Sequence, residues 1–295
     1  MTTNDWLFPR GALARGPWET VVDDALPGWS HTGLRVVDLR GGIDLDADPV
    51  ERMVVPLAGS FAVAADDQQW HLAGRASVFD GPTDVLYLGL GTAARITGEG
   101  RVAIAEAPAT ERLPAALLRA DEVPVEIRGA GRSTRQVHNF GVPGALGAQK
   151  LIVCEVVTPA ENWSSYPPHK HDAASADESR LEEIYYFETA VTRGVAAPEE
   201  ADPFGLFTAY ASDDRGIEVD ARVRTGDVAL VPFGYHGPAV AAPGYDLYYL
   251  NVMAGPDPER AWRITDDPAH GWVRGGWAGQ QPDPRLPYLA KEHRA

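Results

Sequence analysis

Three of the chain's eight histidines fall in one region: His169 and His171 in PPHKHD, and His236 in VPFGYH. On an extended strand residues i and i+2 face the same side, so His169 and His171 present two imidazoles together. Two neutral imidazoles on one face begin a site for a divalent transition metal. The following apolar run, RLEEIYYFE, opens with paired carboxylates, Glu182 and Glu183, and offers a third ligand. The turn carrying His236 offers a fourth. No one of these pieces is diagnostic. Their order is: an HxH pair, then Glu at the start of a strand, then G-D-x4-P-x-G-x-H. That order points to a metal centre.

Strands must hold such a set. Thirty glycines and 24 prolines punctuate the chain at short intervals. Between them lie short runs rich in Val, Ile, Leu and aromatic residues: LRVVDLRGG, RMVVPLAGSFAVAA, QWHLAG and ARITGEGRVAIAEA in the first half. RQVHNFG, KLIVCEVVTP, LEEIYYFET, GLFTAYAS and DLYYLNVMAG repeat the texture in the second. Evenly spaced short strands with turn signals between them predict an all-β protein of sandwich or barrel type. A β-run ending in a turn recurs in both halves, as RASVFDGPTDVLYLGLGT and RTGDVALVPFGYH. The chain therefore reads as two similar β-barrels packed together, 1–125 and 126–295. Helical periodicity is weak, with ERLPAALLRADE near 111–122 the best short candidate. The segment from about residue 255, rich in Pro and Trp, reads as a meander wrapping the second barrel or as an oligomer contact.

Composition narrows the function. Lys and Arg number 26 against 42 Asp and Glu, for a net charge of −16. No basic run exists to meet a phosphate backbone, which argues against nucleic acid and against an anionic membrane surface. No stretch approaches the ~20 apolar residues of a bilayer span. The start, MTTNDWLFPRGAL, lacks a secretory pattern, so a cytoplasmic location is expected. The lone Cys154 sits in LIVCEVV and reads as a buried, inert thiol. There is no convincing dinucleotide or P-loop motif, and hence no organic cofactor is expected.

The pattern HxH…E…G(x5)PxGxH resembles the two metal motifs of the cupin superfamily. More specifically, NWSSYPPHKHD, LEEIYYFE, GDVALVPFGYH and GYDLYYLNVMAGP are similar to the 5-deoxy-glucuronate isomerase family of inositol catabolism, whose members are bicupins. The specific matches lie within about 131–270. The resemblance implies two jelly-roll barrels and one divalent metal (zinc, manganese or iron(II)) on His169, His171, Glu183 and His236. Eleven residues separate His171 from Glu183, more than the three or four usual in cupins. The surplus is expected to form a loop. Glu183 is favoured over Glu182 because it immediately precedes the IYYF run, and alternation would turn Glu182 to the opposite face. The first half has His31, His71 and, near the boundary, His138, but no HxH pair, and is expected to lack a metal.

The resemblance implies aldose–ketose isomerisation, 5-deoxy-glucuronate to 5-dehydro-2-deoxy-gluconate, with a metal stabilising the enediolate. Tyr185 shares the face of Glu183 and could donate or accept the proton. Arg180 precedes the ligand strand and could pair with the substrate carboxylate. Tyr249 and Asn251 share one face of their strand and are further substrate-binding candidates, with Tyr248 on the other face. Partners are then a small sugar acid, no nucleic acid and no membrane, with homo-oligomerisation left open. Two other functions share such a site: an iron-dependent dioxygenase and a non-catalytic sugar-acid-binding bicupin.

Overall fold

The computed structural model describes residues 5–212 and 215–289. Three antiparallel sheets account for the architecture. The first unit is a seven-stranded sheet built on three long strands, Gly33–Leu45, Val50–Ala65 and Ala94–Pro108. These strands are long enough to curl around their own core only if the backbone bends midway. Gly59 and Gly100 face each other at the bend with φ of +90° and +132°. A Cβ on either would lie 2.1 Å from a backbone oxygen of the opposing strand, so only glycine fits.

The second unit has two sheets. One runs in the order Leu7–Phe8, Val228–Val231, Glu182–Val191, Tyr245–Ala254, Ile152–Thr158, Arg135–Gly141, Val125–Arg128. The other runs Arg215–Val223, Gly205–Ser212, Tyr235–Ala241, His169–Lys170, Thr265–Asp266, with Trp163–Ser164 also paired to Tyr235–Ala241. Alternation along each strand divides the apolar residues between two cores. Tyr185, Phe187, Phe207 and Val219 fill the space between these two sheets. Ile184, Tyr186, Tyr248 and Leu250 face outward and pack on Val36, Met53, Val55 and Tyr87 of the first unit.

That contact between units also holds a buried ionic group. Arg75 donates to both oxygens of Glu155 at 2.7 Å, and Tyr248 donates to the same carboxylate at 2.7 Å. His138 Nδ1 lies 2.6 Å from it. Burial alone would raise the Glu155 pKa; the Arg75 charge and the hydrogen bonds from Arg75 and His138 together outweigh it and bring the value down to about 2. His138, counted with the first half by its number, thus lies at the seam on a strand of the second unit's sheet. Burial pushes the Cys154 thiol up, as an inert core residue requires.

Two expectations change. The stretch 111–122 is not an α-helix: Ala116–Leu118 pairs with Val85–Leu88, followed by one 3-10 turn at Ala120–Glu122. Pro114 disfavours helix for the residue before it, and the unpaired sheet edge offers hydrogen bonds that an isolated short helix cannot match. The division at 125 also misses one element. Leu7–Phe8 leaves the first unit and adds an edge strand to the second, pairing with Val228 and Ala229. Among the described residues, no helix is long and apolar enough to cross a membrane.

Candidate metal centre

Glu182–Val191 shows how alternation builds the site. Glu183, Tyr185 and Phe187 point between the two sheets of the second unit, whereas Ile184 and Tyr186 point at the first. Glu182 turns the same way as the latter and accepts hydrogen bonds from the backbone N–H of Ser30 (3.0 Å) and His31 (2.7 Å). On the facing sheet His169 and His236 are cross-strand partners. His171 reaches the cluster because its carbonyl accepts from Leu181 N–H at 2.9 Å, closing a loop over 172–180. Within that loop Glu178 accepts from Lys170 Nζ and from the N–H of Asp172 and Ala173 at 2.8–2.9 Å. The long spacing is thereby absorbed without moving a ligand.

His171 Nε2 lies 2.9 Å and His236 Nε2 3.0 Å from Glu183 Oε2. Ligand atoms of these three buried residues fall within 4.8 Å of one another. His169 stands beside the triad, its ring centroid 4.6 Å from that of His236 and 6.5 Å from that of His171. All three imidazoles direct Nδ1 at a backbone carbonyl: His169 at Pro167, His171 at Leu181 and His236 at Gly234, at 3.1–3.2 Å. A carbonyl only accepts, so Nδ1 carries the hydrogen and Nε2 of the neutral ring is a lone pair. Lone pairs aimed at a carboxylate need a cation between them. His236 Nε2 is buried and has no hydrogen-bond partner among the described residues. The donor set therefore fits a divalent metal ion.

The ionisable groups of the cluster shift one another. Burial raises the Glu183 pKa, but the combined contacts with His171 and His236 prevail and hold it well below the carboxylate range. Burial, reinforced by His236, keeps the His169 pKa well below its ordinary value. For His171 burial acts downward, but the hydrogen bond and charge of Glu183 with the backbone hydrogen bonds together raise the pKa.

The cluster opens into a cavity of about 370 Å³, at the small end of the range for ligand sites. Tyr185, Tyr249 and Asn251 line it. Ser165 Oγ is 3.1 Å from both phenolic oxygens, and burial pushes both phenols above their ordinary pKa. Asn251 Nδ2 and Trp262 Nε1 are buried with no acceptor among the described residues. Arg180 is elsewhere: half-exposed, it pairs with Asp257 outside the cavity. The bridge between Asp172 and Arg180 that helps close the ligand loop turns the side chain outward. Three other arginines, Arg128, Arg135 and Arg274, line the wall, as does Trp262. Sequence reasoning missed these four. Arg135 alternates with Gln136 on RQVHNFG, the one local signal that it faces the interior with Val137. Trp262 and Arg274 come from the C-terminal meander and carry no such signal.

Two packed antiparallel barrels, one with a His–Glu–His cluster inside it, define a bicupin. The chain belongs to the KduI/IolB family, whose model matches residues 6–273. It is 40% identical over 253 residues to a 5-deoxy-glucuronate isomerase of Geobacillus kaustophilus, covering 83% of this chain and 87% of that protein. An IolB-like protein of Salmonella typhimurium superposes with a TM-score of 0.81 at 36% identity, over 91% of this chain and 98% of the other. An oxalate decarboxylase of Bacillus subtilis, 12% identical, shares the fold with a TM-score of 0.61 over 90% of this chain and 80% of its own.

Proposed function

We propose that this chain is a metal-dependent 5-deoxy-glucuronate isomerase of inositol catabolism. The observation that carries the reading is a His–Glu–His cluster opening on a small cavity, in a chain 40% identical to an enzyme of that name. The reaction moves one proton from C2 to C1 and another from the C2 hydroxyl to the former aldehyde oxygen, with no change in overall oxidation state. His171, Glu183 and His236, with His169 adjacent, would hold a divalent zinc, manganese or iron(II) ion, which would supply Lewis-acid polarisation of the carbonyl. Tyr185 stays protonated because it is buried, and donates a hydrogen bond to the oxygen on which charge develops. Ser165 links Tyr185 to Tyr249, so the two phenols and one hydroxyl form a continuous path for hydroxyl protons. Tyr249 and Asn251 hold the substrate hydroxyls.

An anaerobic assay of purified, metal-analysed protein with 5-deoxy-glucuronate tests this. Formation of the ketone without oxygen uptake is expected. No turnover by fully metallated protein overturns the reading.

A further inference from the structure

The cavity wall contains three arginines, and they are not equivalent. Arg128 is held by Glu126 at 2.7 Å, and Arg274 by Asp266 at 2.5 and 2.7 Å. Arg135 is 6% exposed and has no carboxylate within ion-pair distance among the described residues. One of its N–H groups donates to the Ser133 carbonyl at 3.1 Å, and its guanidinium lies 5.8 Å from the Trp277 ring. The rest of the guanidinium has no acceptor among the described residues. A buried cation normally has an anion beside it, because desolvation without a partner is costly. Arg135 and Arg128 are cross-strand partners, which places both on the inner face and adds repulsion. Burial, with Arg128 and Arg274 nearby, lowers the Arg135 pKa to about 10, so it is still charged at neutral pH.

The wall therefore presents one unpaired positive charge beside two unsatisfied donors, Asn251 Nδ2 and Trp262 Nε1, in the cavity that also contains Glu183 and His169. From this juxtaposition we infer that Arg135 is the carboxylate-binding residue of the cavity, taking the acid end of a short polyhydroxy acid while its other end lies at the His–Glu–His cluster. A planar guanidinium matches a carboxylate with two parallel N–H···O bonds. Arg128 and Arg274, already neutralised, frame the position. The inference deepens the isomerase reading and rests on it for the identity of the acid.

The test is calorimetric titration of metal-loaded protein with the open-chain deoxyaldonic acid obtained by reducing the aldehyde of 5-deoxy-glucuronate to an alcohol. The deoxyhexitol with CH2OH in place of the carboxylate serves as the neutral counterpart. Wild-type protein is expected to prefer the acid by about 100-fold, the scale of a charge-assisted bidentate contact. Arg135→Gln is expected to erase most of that preference with metal content unchanged. Arg135→Lys, which keeps the charge and guards against loss of folding, restores part of it. Arg128→Gln costs less, because its partner Glu126 already satisfies it. A folded, metallated Arg135→Gln protein that still prefers the acid 100-fold overturns the inference. Arg135-dependent acid binding without turnover of 5-deoxy-glucuronate upholds it and overturns the isomerase reading instead.

Discussion

In the first unit Val54, Phe61, Val63, Leu86, Leu88, Ile96, Val102 and Ile104 pack into one closed apolar cluster. Inward positions of the second unit include Glu183, Tyr185, Tyr249, Asn251 and Arg135 around open space. Two units of the same architecture have thus been put to opposite uses. One is filled and contributes stability through dense apolar contact. The other gives up part of its core to polar groups, several unsatisfied, which weigh against stability unless a ligand or metal completes them. A large shared apolar face and the buried Arg75–Glu155 pair join them, so the filled unit braces the hollow one.

Substitutions in each barrel test that division. The largest effect belongs to Glu183→Gln, which removes the carboxylate shared by His171 and His236. Turnover of 5-deoxy-glucuronate is expected to fall by about 1,000-fold or more, with loss of bound metal by elemental analysis. Phe61→Ala is the mirror experiment. It is expected to cost about 3–5 kcal/mol in denaturant unfolding while leaving the metal-to-protein ratio of the folded fraction unchanged. If Phe61→Ala lowers metal affinity, the barrels are not separable in the way described. The smallest effect is that of Arg180→Ala. An exposed ion pair with Asp257 contributes little, so kcat/KM is expected to stay within about 2-fold of wild type.

The Arg180 case shows what local sequence can and cannot convey. Period-2 alternation places Tyr185 with Glu183 and Tyr249 with Asn251, because face sharing is a property of a single strand. Which face is inward depends on the partner sheet, so Tyr249 and Asn251 could be paired with each other but not oriented. Arg180 lies in a loop, where alternation has no force, and proximity in the chain to Glu183 says nothing of direction. Arg135 is separated from Glu183 by almost fifty positions, and Trp262 and Arg274 reach the cavity only through an irregular segment. Their role comes from tertiary closure. The strands themselves were readable from Val, Ile and aromatic runs between Gly and Pro. The exception, 111–122, has good helix formers whose fate was decided by an unpaired sheet edge at Val85–Leu88.

The edge strand Leu7–Phe8 has a consequence for how the chain comes to be assembled. Its partners, Ala229 and Val228, lie more than 200 positions downstream, as does Leu230, whose N–H donates to the Trp6 carbonyl at 2.8 Å. On a ribosome adding 5–20 residues per second, an emerging Trp6–Leu7–Phe8 must wait roughly 10–45 s for the strand it joins to be made. The sheet that carries Glu183 therefore takes its edge strand from a segment made long before the strand it pairs with.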